Sequence, residues 1–185
     1  MNVKKLIWSI LLGLVATATV MCVGLLALFS LWFPHETHSL HSYARLLAEW
    51  DQDLVGHFPQ KIPASASSKK FSHYPGFLQA SAHIQLRLEL PPGHIEQLHA
   101  HFLQQRTRSF FGGDSSRHMN QTNGMPTTDF RTGDRGQRSF PPDYEIMVLD
   151  QPDPKSVNPN WNHGRSHGVA ISGQRNEIIY WAESW

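Results

Sequence analysis

The chain has 185 residues, 16 lysines and arginines against 15 aspartates and glutamates for a formal charge of +1, 12 histidines, and a single cysteine, Cys22. So even a balance of charge excludes an electrostatic nucleic-acid binder, and one cysteine excludes a disulfide framework or a thiolate metal site. No cofactor motif and no convincing metal-ligand spacing is present, so neither a cofactor nor a metal is expected.

In chain order, Lys4 and Lys5 precede a run from Leu6 to Phe33 without a charged side chain. A helix of that length, rising about 1.5 Å per residue, reaches about 40 Å, more than the ~30 Å hydrocarbon core of a bilayer. The run is about twice as long as a cleavable signal's apolar stretch, and Ala16-Thr17-Ala18 lies too deep inside it for processing. Trp8 and Trp32-Phe33 suit the two interfaces, and the two lysines favour a cytoplasmic N-terminus. The expectation is a cytoplasmic tail at 1–5, a single-pass transmembrane signal-anchor helix at 6–33 held by the lipid bilayer of the cell membrane, and an extracytoplasmic domain at 34–185.

Residues 34–185 carry fourteen basic and fifteen acidic residues and are enough chain for one hydrophobic core. After Pro34, Leu40, Tyr43, Leu47, Trp50, Leu54 and Phe58 recur at steps of three and four, which predicts an amphipathic helix packed on its own sheet, with a short coiled coil between two copies as the alternative. Residues 64–70 read as a loop. From Ala82 to Leu90 the period becomes two, with Ile84, Leu86, Leu88 and Leu90 on one side and Gln85, Arg87 and Glu89 on the other, a half-buried strand. Pro91-Pro92 ends it, and a second amphipathic helix is expected from Gly93 to Arg106, burying Ile95, Leu98 and Phe102.

Residues 109–143 have no period and few apolar residues, the pattern of a long mobile loop. The loop is locally basic, with Arg117, Arg131, Arg135 and Arg138. Tyr144 to Leu149 reads as a central strand covered on both faces. Residues 150–162 form a proline- and asparagine-rich loop, and Gly168–Ser172 and Glu177–Trp181 flank a four-residue turn as a closing hairpin. The fold class expected is α+β, an N-terminal transmembrane helix followed by one small domain with an antiparallel sheet and two amphipathic helices.

No catalytic residue is nominated by spacing. His35, His38 and His41 are three apart but follow a helix-breaking Pro34. His99 and His101 diverge by about 200° on a helix, and His163 and His167 would lie about 13 Å apart in an extended segment. There is no G-x-S-x-G elbow and no G-x-x-x-x-G-K loop. Tyr74, Trp161, His163 and His167, the aromatic and polar groups nearest the final hairpin, are the candidate binding residues. The function expected is a binding or interaction module for another envelope protein or a small ligand, not nucleic acid. The alternative is a hydrolase-like envelope enzyme using histidine and carboxylate chemistry.

Three patches, His57-Phe58-Pro59 with Ile62-Pro63, Pro75-Gly76-Phe77-Leu78-Gln79 with Leu86-Arg87, and Gly168-Val169-Ala170-Ile171-Ser172 through Asn176-Glu177-Ile178-Ile179-Tyr180-Trp181-Ala182-Glu183, resemble a group of uncharacterised bacterial proteins. Where those relatives tend to have glycine after the Leu-Gln pair, this chain has Ala80. The resemblance implies one folded unit and a bacterial origin, and it carries no catalytic residues.

Overall fold

The chain falls into two units, Met1–His35 and Glu36–Trp185, of which the computed structural model describes residues 3–77, 81–113, 128–150 and 164–184. In the first unit, Val3–Trp32 form helix α1. Its two mid-helix threonines satisfy their own hydroxyls, Thr17 donating to Gly13 O and Thr19 to Val15 O, both at 2.9 Å. Among the described residues no helix is long and apolar enough to cross a membrane. That finding corrects the expected transmembrane helix at 6–33, and with it the single-pass cell-membrane location and the topology drawn from it.

In the second unit the period-two segments become an antiparallel sheet of six strands: β1 (Ser68–Tyr74), β2 (Ala82–Glu89), β3 (Arg108–Phe111), β4 (Glu145–Asp150), β5 (Arg165–Ser172) and β6 (Glu177–Ser184), in the order β1-β2-β6-β5-β4-β3. The expected fold class is therefore corrected to this sheet with a few helices. Two strands were not foreseen: β1 begins inside the expected loop at 64–70, and β3 starts one residue before the one expected at 109–143 and runs into it. The outer edge of β1 is partly closed by Thr37, which exchanges backbone hydrogen bonds of 2.8 and 2.9 Å with His73.

The single helix expected over 40–58 is instead a 3-10 turn at Leu40–Ser42, α2 (Tyr43–Glu49) and α3 (Gln52–Val55). The break falls at Trp50, whose backbone is extended (φ −82°, ψ 156°), and Asp51 starts the next turn by accepting from Asp53 N at 3.0 Å. Tyr43, Leu47, Leu54 and Phe58 stay buried because the redirected chain keeps facing the sheet. Helix α4 (Pro92–Gln105) opens with proline in its first turn, where a missing N–H removes no intrahelical bond, and buries Ile95 and Phe102.

Alternation along the strands gives each face its own core. Leu86, Leu88, Ile178 and Tyr180 meet the helices on one face. On the other, Ile146, Ala170 and Ile179 are covered by Phe130, Phe140 and Tyr144, all buried. Thus residues 128–144 form a layer packed on the sheet, and the polar side of β2 faces that layer. Gly168 permits close packing there, since a Cβ would sit 2.8 Å from Trp181 Cζ2 and 2.1 Å from Met147 O. Asn176, at φ 55°, turns the closing hairpin between β5 and β6, a conformation asparagine tolerates better than most residues.

Candidate functional site

The covered second face is apolar at one end and polar at the other. Tyr74, His83, Glu183 and Ser166 are successive cross-strand partners over β1, β2, β6 and β5, so their side chains share that face. The neighbouring row begins with Ser72 and Gln85. Ser72, His83, Gln85, Ser166 and Glu183 are all buried.

Gln85 and Glu183 find their partners in residues 128–132, and Ser72 and His83 find theirs in each other and in Glu36. Gln85 Oε1 accepts from both the N–H and the hydroxyl of Thr132, each at 2.8 Å, while its Nε2 donates to Asp129 O at 2.9 Å. Glu183 Oε1 accepts from Thr128 Oγ1 at 2.7 Å and from Asp129 N at 3.4 Å. Arg87 reaches Glu177 at 2.7 Å and Thr132 O at 3.3 Å, and lies 5.3 Å over the Phe130 ring. Tyr144 donates to the other oxygen of Glu177. One short segment is thereby tied to an amide, a carboxylate and a guanidinium of the strands, while among the described residues the buried Ser166 Oγ, Arg131 Nε and Trp181 Nε1 have no hydrogen-bond partner.

Burial decides the charges. Desolvation pushes the Glu183 carboxyl up to about 7, against the opposing hydrogen bond from Thr128 and the charge of Arg131. Burial, with Arg131 nearby, pushes His83 down to about 4 and keeps it neutral. Glu36 is raised by burial, but the Ser72 hydroxyl and the neighbouring histidines more than offset this and hold it below the usual carboxylate range.

Above the clamp, residues 129–138 curl into a turn. Phe130 N donates to Arg138 O at 2.7 Å, closing its base, and Gln137 N donates to Asp134 O at 2.9 Å. Gly136 takes φ 86°, and Gly133 has no room for a Cβ, which would lie 2.8 Å from Gln137 O. Between this turn and the segment bearing Glu36 and His38 lies a cleft of about 450 Å³. Its acids are engaged: Glu36 accepts from Ser72 at 2.6 Å, Asp129 pairs with Arg131 at 3.3 Å, and Asp134 pairs with Lys70 at 2.9 Å. Arg135 and Arg138 are exposed at its rim.

Ser72, His83 and Glu36 also bear on nucleophilic chemistry. Ser72 Oγ lies 2.9 Å from His83 Nε2 and Glu36 Oε1 lies 3.3 Å from the same nitrogen. A serine relay needs the acid on the far ring nitrogen, holding the tautomer that leaves the near one free to take the proton. Here both partners crowd one nitrogen, and Ser72 is fully buried, so the trio is arranged as a polar lock.

Of the residues expected at a site, Tyr74 stacks at 6.1 Å on His83 at the edge of the polar row. His167 occupies the helix-covered face, 5.0 Å from His57, so the sheet separates it from Tyr74. Trp161 and His163 lie outside the described residues. His57 donates from Nε2 to Gly168 O at 2.9 Å, and burial with the charge of His167 pushes it down to about 3, a neutral core group. Among the described residues no group of three or more histidines, cysteines or carboxylates is placed to hold a metal.

Sequence reading missed Glu36, Gln85, Glu183 and the 128–132 segment. One signal pointed to Glu183: in Ile178-Ile179-Tyr180-Trp181-Ala182 both faces are apolar, so the residue continuing that strand is covered on either side. Comparison of the chain with protein-family models, with characterised proteins and with solved structures finds no match.

Proposed function

We propose that residues 36–185 act as a binding module that holds a small polar ligand in the cleft between the Glu36–His38 segment and the 129–138 turn. The observation that carries this reading is a pocket-sized cleft whose wall is fixed in advance by Gln85, Glu183 and Lys70. Its volume falls in the range of about 300–1,000 Å³ typical of ligand sites, and a preformed wall lowers the ordering entropy lost on binding. The test is a titration of the isotopically labelled chain with a library of small polar compounds, read by amide chemical shifts. A ligand is expected to move the signals of residues 36–38 and 129–138. A library that moves none of them, or only signals elsewhere, contradicts the reading.

The hydrolase-like alternative has the Ser72–His83–Glu36 contact in its favour. If that trio were catalytic, an active-serine fluorophosphonate would label Ser72 and Ser72→Ala would abolish labelling; the buried, single-nitrogen geometry predicts no labelling of either protein.

A further inference from the structure

Resting on that reading, we propose that the ligand is an anion presenting carboxylate or phosphate oxygens, gripped by Arg135 and Arg138. The charges of the cleft point this way. Asp129 and Asp134 each have a cationic partner, Arg131 and Lys70, and Glu36 is held by a serine hydroxyl. Among the described residues Arg135 and Arg138 form no ion pair, leaving two guanidiniums facing a cleft whose aspartates are already neutralised.

Their spacing is built in. The two arginines sit three residues apart around Gly136, in a turn closed by the Phe130–Arg138 backbone bond and tethered by Lys70 to Asp134. A guanidinium offers two parallel N–H donors that match the paired oxygens of a carboxylate or phosphate. Two such forks on one rigid turn recognise an anion by geometry as well as by charge. His38 lines the same cleft, with Nδ1 committed to Phe71 O at 3.0 Å, so its other ring nitrogen faces a different direction from that bond.

The experiment titrates the full chain with sodium pyrophosphate and, separately, with citrate, at constant ionic strength against sodium chloride, reading amide shifts and the thermal midpoint. Saturable binding of at least one of the two, with shifts at 129–138, is expected, and the tighter of the two identifies phosphate or carboxylate as the class. Arg135→Gln and Arg138→Gln together should weaken that binding at least tenfold, and each single variant by several-fold, without changing the ligand-free midpoint. Binding that the double variant retains in full overturns the proposal. If a neutral or cationic library compound moves the cleft signals while neither anion does, the anion assignment falls and the binding-module reading stands. If no compound moves them, both fall.

Discussion

Replacing Glu183 by glutamine isolates the buried charge beneath the cleft. Glutamine keeps the oxygen that accepts from Thr128 and Asp129, and resembles the protonated acid. In the folded chain the carboxyl titrates at about 7 rather than at its ordinary 4.5, because burial disfavours the charged form. Between those two values the folded state holds a proton that the unfolded state has released, so stability falls as pH rises through the interval and levels off above it. The full loss is about 3 kcal/mol at 1.36 kcal/mol per pH unit, and between pH 5 and pH 8 it comes to about 2–3 kcal/mol. Urea unfolding of the wild-type chain and Glu183→Gln at both pH values measures it, because taking the difference between the two proteins cancels the other titrating groups. The variant should gain about 2–3 kcal/mol on the wild type in going from pH 5 to pH 8. A difference that stays constant across that range, or shrinks, would refute the reasoning that burial of Glu183 outweighs the Thr128 hydrogen bond and the charge of Arg131.

Three further outcomes follow from the same geometry. Gln85→Ala leaves Thr132 N and Asp129 O without their partners in a buried site and should cost about 2–4 kcal/mol by chemical denaturation, with a larger loss of order at 128–138 than elsewhere. Gly168→Ala forces a methyl against Met147 O and the Trp181 ring and should cost at least about 1–3 kcal/mol, visible as a lowered thermal midpoint. His57, held neutral with its folded value near 3, should contribute stability that is complete above pH 6.5 and is lost as pH falls toward 3, up to about 5 kcal/mol; His57→Gln should flatten that acid limb in a series of urea unfolding curves.

The elements that were legible in the sequence are those whose pattern is local. Ile84, Leu86 and Leu88 alternate because one side of β2 meets the helices, and Ile95 and Phe102 recur because α4 lays one stripe on the sheet. Strand β1 was hidden because it lies at the edge: Ser68, Lys69 and Lys70 are exposed, and only Phe71 to His73 are covered. Four residues, Arg108–Phe111, are too few to show a period. The 40–58 stripe was real, but periodicity does not report the extended residue at Trp50 that divides it.

The candidate site was less legible, for a different reason. Gln85 and Arg87 look like the solvent side of a half-buried strand, and their partners lie more than forty residues away in a segment without any pattern of its own. Nothing local marks a polar residue as one half of a clamp. Tyr74, which reads as part of the Tyr74-Pro75-Gly76 turn, and His167 group by sequence as residues near the final hairpin, yet strand alternation puts them on opposite faces. Several of the histidines singled out by their number hold structural places: His57 and His83 are buried and neutral, and His99 bonds Glu145 at 2.8 Å on the α4 side.

The most direct test of the whole account is amide hydrogen exchange along residues 128–138 of the intact chain, because the cleft exists only if that segment is a fixed wall. Thr132 N, bonded to Gln85, and Phe130 N, bonded to Arg138 O, should exchange at least about 1,000-fold more slowly than an open chain, as sites requiring an opening of about 4 kcal/mol do. Gln85→Ala should release Thr132 first. Exchange of both amides at open-chain rates in the unmutated protein would contradict the clamp, the cleft and the binding role assigned to it.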